Sequence, residues 1–198
     1  MEAFHQIISN MLTHNLFPRF QQKLSAAGGE AHTVDTFDQA ADTIATHAAL
    51  SAKSIVVPPH FDERPLGAHL LPLLRVRGIA IIEAGEPASV ADAPAGLTCA
   101  ELAIAETGSV LLAENALAAR VVSMLTLTHF VVLAADKIVP MLDDAANVLQ
   151  QLTREGPDQR HYISFVTGPS RTADIERTLT IGVQGPKALC VIVVNKPL

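Results

Sequence analysis

Tryptophan is absent, and phenylalanine and tyrosine together make up only 4% of the 198 residues. Charge is also scarce at 17%, and acidic residues outnumber basic ones 20 to 14, giving a net charge of −6. A nucleic-acid backbone is held by a positive stripe, and unpaired bases are held by exposed rings. The chain has neither, which excludes nucleic acid as a partner. Only two cysteines occur, Cys99 and Cys190, far apart and each in apolar surroundings. They read as buried, reduced thiols of a cytoplasmic protein. No GxGxxG or GxxxxGK[ST] run is present, so a nicotinamide or ATP site has no support. The histidines contain no HExxH and no pair three or four apart, and no cysteine stands near one at ligand spacing, so no metal site is expected. The apolar stretch near residues 110–135 is broken by Glu114, Arg120 and His129, short of the ~20 residues a bilayer span requires. No basic stretch followed by an apolar core opens the chain, so no signal peptide is expected.

Apolar residues are abundant, at 49%. That share suits parallel strands buried on both faces beneath helices. Residues 2–25 carry apolar groups at helical spacing, with Pro18 as a kink or division and Gly28-Gly29 as the end. The segment 1–29 reads as a helical arm ahead of an α/β domain over 30–198. Thr36 is a helix N-cap for a helix reaching Leu50. Ser54–Val57 and Ile79–Ile82 read as strands, and between them Leu66–Arg75 reads as a helix that Pro72 argues against. Gly85–Gly96 reads as a loop. Strands follow at Leu102–Ala105, Val110–Leu112, His129–Ala134, Tyr162–Val166 and Leu189–Val194. Helices fall at Ala116–Leu125 and, opened by Pro140, at Met141–Leu152. Ala173–Glu176 reads as a short helical turn, and the region from Ile181 adds a short antiparallel piece. Alternation of strands and helices implies a mostly parallel, doubly wound sheet.

Three polar turns interrupt this apolar chain. Glu106-Thr107-Gly108-Ser109 separates two buried segments; it is either a ligand-contacting turn at the carboxyl end of a strand or a plain hairpin turn. Thr167-Gly168-Pro-Ser170-Arg171-Thr172-Ala-Asp174-Ile-Glu176 directly follows a strand. Ser170 or Thr172 can cap the next turn with Asp174 in it, and Arg171 can take a carboxylate or phosphate, or pair with Glu106 or Asp174. Gly182-Val-Gln184-Gly185-Pro-Lys187 precedes the last strand, and Lys187 adds a positive charge at the same edge. His129 reads as a satisfied, partly buried imidazole.

Together, Ala103-Ile-Ala-Glu-Thr-Gly-Ser109, Gly168-Pro-Ser-Arg-Thr-Ala-Asp-Ile-Glu176 and Gly182-Val-Gln-Gly-Pro-Lys187 resemble the lactate utilization protein C (LutC/YkgG) family, whose members carry the LUD domain. Ala134-Ala-Asp-Lys-Ile-Val-Pro140 resembles the segment between them, and the likeness covers roughly residues 50–198. It implies an α/β fold similar to CoA-transferases and sugar-phosphate isomerases. It also implies an accessory role in oxidising L-lactate to pyruvate beside iron–sulfur partner proteins, with a small anionic metabolite bound near the three turns. The electron-carrying clusters then belong to the partners and no cofactor to this chain, since two isolated cysteines cannot hold a four-cysteine cluster. The alternative is an independent enzyme on a sugar phosphate or acyl-CoA with Glu106 as its catalytic carboxylate. Two departures stand out: Gln184 where the family's turn resembles GVHGP, and Cys99 where glycine is frequent. The apolar content is compatible with a homo-oligomer without requiring one.

Overall fold

In the computed structural model, which describes residues 16–173 and 177–195, the two most apolar runs are neighbouring strands. They are β7 (Thr128–Ala134) and β12 (Ala188–Val194). Around them lies a six-stranded, wholly parallel sheet in the order β1-β12-β7-β4-β2-β3. Its other members are β1 (Glu30–Val34), β2 (Ser54–Val57), β3 (Ala80–Glu83) and β4 (Ala95–Cys99). Side chains alternate across each strand, so both faces must be covered. Phe130, Val132, Cys190, Ile192 and Val194 face α2 (Phe37–Thr46) and α3 (Pro65–Val76). Val131, Leu133, Leu189, Val191 and Val193 face the opposite layer, where Phe20 and Leu24 of α1 (16–26) are fully buried. The fold is therefore α/β with helices on both faces of a parallel sheet, as the alternation of elements implied.

Several local expectations change. The interval 85–96 is not one loop: α4 (Pro87–Val90) interrupts it, and Ala95 and Gly96 open a strand between β7 and β2. Gly96 is required there because a Cβ would lie 2.7 Å from Thr126 and 2.9 Å from Val122 of the helix packed above, α5 (Leu117–Leu125), and the turn after it. Helix α3 runs through Pro72 unbroken. Burial of Leu70, Leu71 and Leu74 on either side of the proline offsets the one backbone bond it removes. Thr36 does cap α2, its Oγ1 accepting from Gln39 N at 3.2 Å, but the helix ends at Thr46, followed by a separate 3-10 turn, Ala48–Leu50.

The second half builds another layer. Strands β5 (Leu102–Ile104) and β6 (Ser109–Ala113) form an antiparallel hairpin. They are joined by β8 (Ile138–Val139) and by β9 (Ile163–Val166). The strand expected at 162–166 thus pairs antiparallel with β6 instead of extending the parallel sheet. One face of the hairpin, including Ala103, Val110 and Leu112, packs on the main sheet. Its other face, with Leu102, Ile104 and Leu111, is covered by α6 (Ala146–Thr153), which a 3-10 turn at Leu142–Ala145 precedes. A two-residue ribbon, β10 (Arg171–Thr172) with β11 (Thr180–Ile181), supplies the short antiparallel piece.

The turn linking β5 to β6 presses against α1. Gly108 has φ +71°, and a Cβ there would lie 2.3 Å from Leu24 N. Gly108→Ala is expected to lower unfolding stability by at least about 2 kcal/mol, combining a left-handed alanine with an overpacked contact. Urea denaturation of the variant beside the parent measures this.

Candidate functional site at the amino edge of the sheet

The three polar turns meet. Thr107 Oγ1 donates to Ser109 Oγ at 2.8 Å, and Ser109 Oγ lies 2.5 Å from Thr167 Oγ1. This row of hydroxyls joins the hairpin turn to the loop after β9. Ser170 N donates to Pro186 O at 2.9 Å and Ser170 Oγ to Gln184 O at 2.7 Å. Those bonds close the second turn onto the third. Between them lies a cavity of about 310 Å³, whose lining includes Thr167, Gly168, Ser170, Gln184, Gly185 and His129. That size falls at the small end of the range for metabolite pockets.

His129 is the second residue of β7, and Leu189, another wall, is the second residue of β12. The cavity therefore opens at the amino ends of the parallel strands, whereas the general rule for open α/β sheets had placed it at their carboxyl ends. The β5–β6 hairpin explains the inversion. It leaves the carboxyl end of β4, turns back over the sheet and brings Thr107–Ser109 beside the chain that enters β1.

His129 is fully buried. Its Nε2 lies 2.8 Å from Thr98 Oγ1, while Nδ1, buried from solvent, has no hydrogen-bond partner among the described residues. Burial pulls its pKa down to about 3, so the ring is neutral at physiological pH. A neutral imidazole with one nitrogen engaged offers one donor or one acceptor at the other, according to its tautomer. Met124 and Phe165 add apolar wall, and Ser123 lies among them with its Oγ donating to Arg120 O at 2.9 Å.

The remaining expected residues stand apart. Glu106 does not line the cavity; its Oε2 accepts from Leu142 N at 3.1 Å, at the start of the 3-10 turn before α6. Arg171 is exposed and donates through Nη2 to Ala27 O, where the positive charge suits the carboxyl end of α1. Thr172 lies in β10, paired in register with Thr180. Lys187 is exposed beyond the cavity and its backbone N–H donates to Leu127 O at 2.8 Å. Asp174, and with it most of the helical turn expected at 173–176, lies outside the described residues. Sequence reasoning missed His129 as a site residue because it looked like strand core, and it placed Thr167 in the second polar turn without giving it a role in the site.

A second polar cluster sits at the carboxyl edge. Arg64 Nη2 is 2.7 Å from Glu114 Oε1, the side chains being 26% and 11% exposed. Burial raises the Glu114 carboxyl, and Arg64 and Arg160 act against that rise. Arg120 lies over the Tyr162 ring, 4.8 Å from its centre. Cys99 is close enough to feel Arg64, Glu101 and Glu114, yet burial pushes its thiol up to about 12, so it is not an activated nucleophile. Cys99 and Cys190 are both free and buried. Among the described residues no helix is long and apolar enough to cross a membrane.

These elements define an α/β domain with a hairpin layer folded back onto its parallel sheet. The chain belongs to the LUD domain family, whose model matches residues 17–194, and within it to the lactate utilization protein C group. It is 37% identical over 119 residues to "Lactate utilization protein C" of Bacillus velezensis, covering 60% of this chain and 47% of that one. With the Bacillus subtilis protein of the same name it shares 35% over 100 residues, covering 50% and 42%. With that of Halalkalibacterium halodurans it shares 30% over 169 residues, covering 82% and 70%. The chain thus spans about half the length of the first two relatives. A solved DUF162-family protein from Deinococcus radiodurans has the same fold, with a TM-score of 0.68, 24% identity, and coverage of 92% of this chain and 98% of that one.

Proposed function

We propose that this chain is an accessory protein of L-lactate utilization in the cytoplasm, binding a small anionic metabolite in the amino-edge cavity. The observation that carries this reading is the convergence of the three motifs that bear the family likeness. Residues 167–170 and 184–186, far apart in sequence, line one small cavity, and the Thr107–Ser109 turn is tied to it through the Ser109–Thr167 hydroxyl contact. The names of the curated relatives supply the pathway. The hydroxyls of Thr167 and Ser170 on the cavity wall suit the carboxylate and hydroxyl of a short hydroxy acid. Oxidation of lactate needs an electron acceptor. In this reading it lies in iron–sulfur partner proteins, because neither cysteine of this chain is placed to share a cluster. The engagement of Glu106 with Leu142 favours the accessory role over an enzyme built on that carboxylate.

The test is genetic. In source cells with a single L-lactate route, deletion is expected to abolish growth on L-lactate. The parent gene restores growth, and a gene carrying Thr167→Val with His129→Phe does not. Unimpaired growth of the deletion strain contradicts the proposal.

A further inference from the structure

The far side of the sheet carries a third cluster, away from the cavity and from the Arg64–Glu114 pair. In the parallel pairing of β1 with β12, Glu30 stands opposite Cys190, and His32 follows on the same face of β1. A carboxylate oxygen of Glu30, a ring nitrogen of His32 and the Cys190 sulfur all lie within 4.8 Å of one another. Glu30 Oε2 is 3.7 Å from His32 Nε2. A tetrahedron of zinc bonds roughly 2.0–2.3 Å long has edges of roughly 3.3–3.8 Å. The Glu30–His32 edge already has that length, and both side chains are 45% exposed, free to adjust onto an ion beside the fixed sulfur.

The surroundings resemble those of a bound metal's supporting shell. His47 Nδ1 accepts from Ala49 N at 3.1 Å, which fixes the proton of the neutral ring on Nε2. That Nε2 then donates to Glu30 Oε1 at 2.9 Å, leaving Oε2 to face His32. Phe130 holds the His47 ring edge-on at 5.0 Å. A carboxylate oriented by a protonated nitrogen, with its second oxygen turned to a histidine and a thiol, is the arrangement that outer-shell partners create around metal ligands.

We propose that Glu30, His32 and Cys190 bind one zinc ion, with solvent as fourth ligand and His47 positioning Glu30. The sulfur, nitrogen and oxygen donors select zinc over calcium or magnesium, which take oxygen. Binding displaces the Cys190 proton to solvent and forms a zinc–thiolate bond without redox change. The site ties edge strand β1 to β12 and is independent of the lactate reading.

The full-length protein, stripped with chelator, is titrated with cobalt(II) and with zinc against a chromophoric competitor. One equivalent per chain is expected, with a thiolate-to-cobalt charge-transfer band in the near ultraviolet. His32→Ala and Glu30→Gln, both at half-exposed positions, weaken zinc binding at least tenfold. His60→Ala, a remote exposed histidine, leaves it unchanged. Cys190→Ala removes the band; should that buried substitution unfold the chain, the two surface variants still decide. A band that survives in Cys190→Ala, no band in the parent, or affinities within twofold of the parent in both His32→Ala and Glu30→Gln overturns the proposal.

Discussion

Acidification below pH 6.5 is expected to destabilise the protein steeply, through one buried imidazole. His129 titrates near pH 3 in the folded protein, against an ordinary value of 6.5. The unfolded chain therefore binds a proton that the folded chain refuses throughout that interval. Stability rises with pH wherever the unfolded state holds more protons. The contribution is fully present above pH 6.5 and lost as pH falls toward 3, at about 1.4 kcal/mol per pH unit once the unfolded imidazole is charged. Glu114 acts with the opposite sign. Its folded carboxyl is raised by burial, so its effect on stability falls as pH climbs from the ordinary carboxylate range through the folded value. Urea unfolding of parent and His129→Phe between pH 4 and 7 separates the two. The variant is expected to show a flatter acid limb, and equal slopes in the two proteins refute the assignment.

The second large effect is at the carboxyl edge. Arg64→Ala strands the Glu114 carboxylate, which is 11% exposed, without its 2.7 Å partner. Breaking a buried pair by deleting one member costs about 3–5 kcal/mol, or about 6–20 °C in Tm for a chain of this size. Removing both charges removes most of the penalty, because two apolar groups of similar volume leave nothing unpaired. Arg64→Met with Glu114→Leu is therefore expected to melt well above Arg64→Ala alone. Calorimetry of the two variants checks this, and a double variant no better than the single one shows that the guanidinium acts by packing alone.

How much of this was legible in the chain follows from which contacts are local. Strands β7 and β12 could be read directly, because burial on both faces demands an unbroken apolar run. The turns at Gly108 and Gly168 were legible for a related reason: each glycine has positive φ and would bring a Cβ within 2.5 Å of backbone. Strand β4 was not legible, since Ala95-Gly96 looks like loop and its small size answers to α5, which no local pattern reveals. Strand β1 was missed too, because an edge strand carrying Glu30 and His32 has no apolar run to display. The motif residues were named correctly as polar turns, but their edge of the sheet was not deducible from them. It depends on the direction in which the β5–β6 hairpin folds over. The His129–Thr98, Arg64–Glu114 and Glu30–Cys190 pairs all arise from strand order and register, which local periodicity does not encode.

The most direct test of the central claim is a titration of the assigned backbone amide resonances with L-lactate and with pyruvate. The account predicts saturable shifts confined to Thr167–Arg171, Gln184–Lys187 and the Thr107–Ser109 turn, and their loss in the variant carrying Thr167→Val and His129→Phe. Shifts centred instead on Arg64, Glu101 and Glu114, or none with either compound, contradict it.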